Sequence, residues 1–249
     1  MFSCRAFALT AIFSLFSSLF SNAQTKKSKY EVGAAIGGFI YQGDLSPSIF
    51  GSYKTIRPGL ILQGTRYINS TFAARLNFSL ASLSGDDSRY STPAYHQYRN
   101  FNFKTRLIEL SPQIVWSPTG WNEVGAKISP YAFAGVGLGF VRIKRDWSGF
   151  NASHFGANEN LPARIAEDMA HSTPRFLPSI PVGAGVRYAI SPRIVINGEV
   201  SYRQLFTDYL DGFSKAANPK FKDHYYNIAV GVIYRFGRKN SWECPKVIQ

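Results

Sequence analysis

Four histidines and the carboxylates near them are the residues here that could move protons. Asp86, Asp87, Ser88 and His96 fall in one polar stretch, and Glu167, Asp168 and His171 in another. His154 and His224 stand apart. A base beside a hydroxyl or a water is the minimum for hydrolysis. Nearness along a chain does not put two groups within hydrogen-bond reach, and polar loops contain these residues by default. No HExxH pair and no paired cysteines occur, so no metal site is expected. The glycines of GVGLG (135–139) and GAG (183–185) sit inside alternating stretches with no helix after them, unlike a phosphate-cradling loop. The expectation is a protein with no cofactor and no turnover.

A second set of ionised residues is more regularly placed. In PVGAGVRYAISPRIVINGEVSYR (181–203), Val182, Ala184, Val186, Tyr188 and Ile190 alternate, as do Ile194, Ile196, Val200 and Tyr202. Arg187, Glu199 and Arg203 take the opposite face. Glu31, Arg75, Glu109 and Arg235 stand in the same relation to their own segments. Eight segments carry this period of two: 30–41, 57–68, 71–83, 103–116, 129–144, 179–190, 193–206 and 224–236. The faces of the second, GLILQGTRYI, are ambiguous. Each is long enough for a tilted membrane strand of about 9–11 residues, whereas soluble strands average about five or six.

Connection lengths alternate too. Asn69-Ser70 and Ser191-Pro192-Arg193 are tight and 117–128 is modest, while 42–56, 84–102, 145–178 and 207–223 are long and polar. Within the last long connection but one, LPARIAEDMA (161–170) reads as a short helix, a candidate lid or contact surface. Outer-membrane barrels sort their loops in this way, short in the periplasm and long outside. The fold expected is all-β: an eight-stranded antiparallel transmembrane barrel, up-and-down, with short periplasmic turns and long extracellular loops. Its oily face meets lipid, and its seven charges point into an interior too narrow to stay empty. Three acids among four arginines imply a plugged ion network rather than a solute channel. Inward glycines at 33, 37, 135, 137, 139, 183 and 185 would make room for larger neighbours. Tyr30, Tyr67, Phe72, Trp116, Tyr131, Tyr188, Tyr234 and Phe236 lie near periplasmic strand ends, where an aromatic belt is expected.

The N-terminus carries Arg5, an apolar run from Ala6 to Phe20, and Ser21-Asn22-Ala23. This reads as a secretory signal (1–23) cut between Ala23 and Gln24. The barrel then occupies 24–236 and a tail 237–249. Cys4 would leave with the signal, so Cys244 is the one cysteine of the mature chain, suited to an intermolecular disulfide or a free thiol. The formal charge is +13. For an exported chain with dispersed basic residues this points away from nucleic acid, and toward anionic outer-membrane lipid, surface polysaccharide or an acidic protein. The tail GRKNSWECPKVIQ offers Arg238, Lys239, Trp242, Cys244 and Lys246 to a periplasmic partner.

The signal ending in Ala23-Gln24, the opening strand KYEVGAAIGGFIYQGDL with Tyr41-Gln42-Gly43-Asp44-Leu45, and the basic tail with Cys244-Pro245-Lys246 carry a resemblance. Together they resemble the PorG-like outer-membrane barrels of Bacteroidota, over nearly the whole mature chain. The resemblance implies a non-enzymatic component of type IX protein secretion. It would associate with a periplasmic ring of the PorK lipoprotein and PorN, with the Cys244 tail facing that ring. Related barrels of unknown role share the opening strand. The alternative reading is a surface-facing binding or adhesion barrel that uses the loops rich in Tyr, Asn and Arg, with a loop-based enzyme ranked below it.

Overall fold

A computed structural model of the chain describes residues 29–48, 50–120, 127–155, 160–217 and 222–236. The strands are β1 (Tyr30–Gln42), β2 (Arg57–Tyr67), β3 (Phe72–Asp86), β4 (Asn102–Trp116), β5 (Ile128–Gly135), β6 (Gly137–Asp146), β7 (Phe176–Ala189), β8 (Ile194–Leu205) and β9 (His224–Arg235). All pairings are antiparallel. β1 pairs with β9, and β3 with β4, which closes the sheet into a ring. Closure satisfies every strand edge internally, as a membrane interior without water demands.

The segment expected as one strand over 129–144 is interrupted. β5 and β6 both lie between β4 and β7 in one continuous register: Gln113↔Gly135 and Leu110↔Leu138 on one side, Ala134↔Val182 and Gly137↔Ser179 on the other. They are two parts of one wall, so nine strands build an eight-walled, up-and-down barrel. The break falls at Val136, facing Pro112, whose nitrogen cannot donate to the ladder. Val136 still donates its N–H to the Pro112 carbonyl at 3.1 Å.

The tight turns hold themselves. Asn69 Oδ1 accepts from the N–H groups of Thr71 (2.8 Å) and Phe72 (2.7 Å), and Ser191 Oγ accepts from Ile194 N–H at 3.0 Å. These polar side chains mimic a backbone turn and fix the pairing register. The long connections gather at the opposite rim. One contains the expected helix, Leu161–Ala170, with Leu161, Ile165 and Asp168 buried at helical spacing.

Alternation decides inside from outside. Val32, Ile36, Leu76, Leu80, Ile108, Ile114, Val200 and Val230 face outward and are exposed in the absence of lipid. The ambiguous β2 resolves with Ile61, Gln63, Thr65 and Tyr67 inward and Leu60, Leu62, Gly64 and Arg66 outward. Two aromatics expected in the belt belong elsewhere: Tyr67 and Tyr131 point inward and are buried. Phe72, Trp116, Tyr188, Tyr234 and Phe236 do face out. Large and small inward residues interlock. A Cβ on Gly185 would lie 2.6 Å from the Tyr131 ring, and one on Gly183 would run into that of Phe133.

Candidate functional site

The seven ionised residues of the strand interiors are all buried, and they assemble into three rungs. Nearest the short-turn rim, Arg187 Nη1 donates to Glu31 Oε1 at 2.6 Å and Arg235 Nε lies 3.7 Å from Glu31 Oε2. The Tyr67 hydroxyl donates to the same carboxylate. Above it, Arg75 Nη1 donates to Glu199 Oε2 at 2.7 Å, and Arg75 also reaches Gln113 (2.7 Å) and Gln63 (3.2 Å). The Tyr131 hydroxyl joins Glu199 at 2.9 Å, and the Phe133 ring lies 4.1 Å from the Arg75 guanidinium. In the third rung Arg203 Nε lies 3.4 Å from Glu109 Oε1, while Tyr225 (2.6 Å) and Ser179 (3.1 Å) donate to Oε2. Buried ions survive only when paired and hydrogen-bonded, and each carboxylate here takes a guanidinium and at least one hydroxyl. The seven charges were legible from alternation; the tyrosines that complete the rungs share that parity.

Above the rungs the inward face turns apolar. Phe39, Tyr41, Leu83, Phe103, Leu107, Leu177 and Leu205 of the strands meet Leu45, Phe101, Leu161, Ile165, Leu210 and Phe213 of the loops in one core. Phe101 stacks on Phe213 at 4.5 Å, and Tyr41 meets Phe103 edge-on at 4.7 Å. The long loops therefore form a packed lid over the barrel mouth.

Polar latches hold that lid. Asp87 is fully buried. It accepts from Arg99 Nε (2.6 Å) and Nη2 (2.9 Å) and from Phe101 N–H (3.2 Å), and it lies 2.7 Å from His96 Nδ1. Asp168, on the helix, accepts from the backbone N–H groups of Ser214 (3.2 Å), Lys215 (3.0 Å) and Ala216 (2.8 Å). Tyr41 Oη lies 2.7 Å from Asp211 Oδ2 and 2.6 Å from Asp223 Oδ1. A phenol has one hydrogen, so it can donate to only one of them; the other contact requires a protonated carboxyl donating back. A Cβ on Gly43 would collide with that hydroxyl, so no side chain fits. The Tyr41–Leu45 motif thus has a structural meaning. Tyr41 and Leu45 enter the lid core, Gly43 clears the latch, and the Asp44 carbonyl accepts from Arg99 Nη2 at 2.9 Å.

Of the groupings that suggested proton transfer, Asp87 and His96 do meet, in the latch with Arg99, and the others come apart. Ser88 Oγ donates to Asp86 at 2.6 Å, not to His96, and His96 is buried between Tyr90 and Tyr95. Asp168 serves the backbone, while His171 stacks on Tyr209 at 4.1 Å. His154 stacks on Tyr98 at 3.6 Å. Among the described residues no group of three His, Cys, Asp or Glu could hold a metal ion. Ala23, Gln24, Arg238, Lys239, Trp242, Cys244 and Lys246 lie outside the described residues.

The latches respond to pH in opposite senses. Burial, the nearby charge of Asp208 and that of Asp44 push Asp223 up to about 8, and burial with the Asp223 charge also raises Asp211 well above an ordinary carboxyl. A raised pKa contributes stability that is whole below the unfolded value and lost as pH climbs through the folded one. This latch should therefore weaken from about pH 4 to about 8. At Asp87 burial opposes ionisation, but hydrogen bonds from Arg99 and His96 outweigh it and hold the pKa below the usual range. Its contribution is present above 3.8 and lost in stronger acid. Hydrogen exchange over 207–217 should quicken as pH rises through the Asp223 window, after correction for intrinsic rates, and Asp223→Asn should flatten the slope. A flat profile in the unaltered protein would contradict the shared proton.

The sequence profile described as "Domain of unknown function (DUF6089)" matches residues 6–244. The chain belongs to the DUF6089 family. No curated protein matches it. Among solved structures, Ail of Yersinia pestis in complex with the heparin analogue sucrose octasulfate is 14% identical, with 84% of this chain and 99% of that one covered and a TM-score of 0.47. A major outer membrane protein of Thermus thermophilus is 11% identical, covering 83% and 99%, with a TM-score of 0.46. The N-terminal barrel of Pseudomonas aeruginosa OprF is 8% identical, covering 84% and 100%, at 0.43. No described helix is long and apolar enough to cross a membrane; the strands do that. With a closed wall, an oily exterior and ionised rungs inside, this DUF6089 protein is an integral outer-membrane barrel.

Proposed function

We propose that this barrel is a fixed outer-membrane anchor for a protein-export complex and catalyses no reaction. The observation that supports the reading is the filled interior. Three ion rungs and an apolar lid occupy the lumen, so the barrel offers partners its rims and outer wall rather than a path. The resemblance to PorG-like barrels supports a type IX secretion complex, with a periplasmic ring of PorK- and PorN-like proteins as the partner. The docking elements are the periplasmic turns and the tail, in which Arg238, Lys239, Trp242 and Lys246 provide charge and one aromatic anchor, and Cys244 a thiol for intermolecular capture.

Truncation after Phe236 tests this. The shortened barrel should still fold in native outer membranes, while recovery of the ring with it falls about tenfold or more, as losing an aromatic anchor and its flanking charges would do. Ring capture that survives truncation unchanged would remove the tail from the interface. One observation favours a second reading, a surface-facing binding barrel: Phe50, Tyr53, Tyr95 and Tyr98 stand exposed in the outer loops. Under that reading the truncated protein keeps its binding, and exchange of the loops abolishes it.

A further inference from the structure

The outer wall carries an unneutralised group of cations at one level. On β4 and β6, Lys104 lies directly opposite Lys144, and Arg106 opposite Arg142. All four face outward and are exposed. Like charges directly opposed on an antiparallel pair destabilise it, and here two successive pairs do so. Arg175, just before β7, is also exposed. Arg142 and Arg175 line a common cleft with Phe140 and Phe176. Among the described residues, none of the five cations has an ion-pair or side-chain hydrogen-bond partner. The acids one step further out on this face, Asp86 and Asp146, flank Asn102 and are engaged elsewhere: Asp86 pairs with Arg89 at 3.1 Å, and Asp146 accepts from Ser148 N–H at 2.9 Å.

The level of the group decides what fits it. One step inward on the same face Ile108 opposes Phe140, and the next pair is Leu110 and Leu138; Phe140 in turn opposes Phe176. These are exposed lipid-facing residues. Same-face neighbours along a strand are about 6.8 Å apart, so the cations begin where the oily belt stops, at the rim that bears the long loops. A molecule with acyl chains on Phe140 and Phe176 would carry its headgroup onto Arg106, Arg142 and Arg175. Guanidinium groups bind phosphate oxygens in pairs, and lysines add point charge.

We propose that Lys104, Arg106, Arg142, Lys144 and Arg175 form a binding site for the phosphate headgroup of an outer-leaflet lipid. The site offsets the like-charge strain and fixes the barrel's depth and rotation in the membrane. It goes beyond the anchoring role in export and does not depend on it, since any outer-membrane barrel could use it.

The test uses the full chain in phosphatidylcholine nanodiscs, with and without monophosphoryl lipid A, and reads retained lipid by native mass spectrometry and stability by thermal unfolding. The unaltered protein should retain the phosphorylated lipid and unfold at higher temperature with it. A K104Q/R106Q/R142Q/K144Q variant should retain about tenfold less or lower still and lose the stabilisation. An R106E/K144E variant turns both like-charged pairs into complementary ones, so it should fold securely and still lose the lipid. Retention of the lipid by both variants at the level of the unaltered protein would overturn the proposal. So would full reproduction of the stabilisation by inorganic phosphate, which would mean an unspecific anion effect, or a preference for soluble sulfated polysaccharide over the lipid.

Discussion

Glu31→Ala should lower the unfolding free energy of the barrel by about 3–5 kcal/mol, the usual cost of stripping one partner from a buried ion pair. Glu31 is the only carboxylate in its rung among the described residues. Arg187 and Arg235 both lean on it and are 1% and 4% exposed. Tyr67 also donates to it. Removing it leaves two guanidinium groups inside a wall with no solvent to receive them. Adding Arg187→Met should recover part of the loss, because replacing both members with apolar side chains removes the uncompensated charge. Urea titrations in lipid vesicles, followed by tryptophan fluorescence, measure both steps. A loss below about 1 kcal/mol, the size expected of exposed pairs, would mean that water reaches this rung.

Asp87→Ala should have a comparable local cost, about 3–5 kcal/mol, but a different readout. The residue gathers Arg99, His96 and the Phe101 amide from one loop and holds them against the lid core. Its loss strands Arg99, itself 6% exposed, in that core. The barrel wall does not depend on this latch, so the folded band on unheated gels should persist while loop 87–101 becomes open to protease. Asp87→Asn keeps the amide contact and shape while losing charge, and should fall between. Collapse of the whole barrel in Asp87→Ala would show that lid and wall fold as a single unit.

The wall was legible because a period of two assigns a side to every residue at once. A charge at Arg75 and a leucine at Leu76 fix the parity of their whole strand, and the remaining contacts follow. Only the lid's helix at 161–170 was legible; the apolar core it closes on was not, for the same reason. Phe39, Tyr41, Phe103, Leu107 and Leu177 share parity with the inward charges, and alternation cannot say that the inward face changes character partway up. The signal was there in the apolar run Phe39-Ile40-Tyr41, where alternation stops and all three residues are buried. Height along the strand alone would put Tyr67 and Tyr131 in the belt, whereas parity with Thr65 and Phe133 places them inside. The loop latches join residues far apart in the chain, Asp168 with Ser214 and Tyr41 with Asp223, and no local pattern reports such meetings. The acid–histidine groupings were legible only in part: Asp87 does meet His96, but its sequence neighbour Ser88 turns to Asp86, and Asp168 and His171 turn to different partners.

The Tyr41 latch also bears on how the molecule is made. Its hydroxyl belongs to the first strand, and Asp223 stands at the threshold of the last, a separation of 182 residues. The same two strands form the seam where the ring shuts. During insertion, a chain that has not yet delivered its final strand therefore lacks both a finished perimeter and the Asp223 half of this latch. Both arrive in one late event of high contact order, and a proteolytic probe of the outer loops would report completion of the perimeter itself.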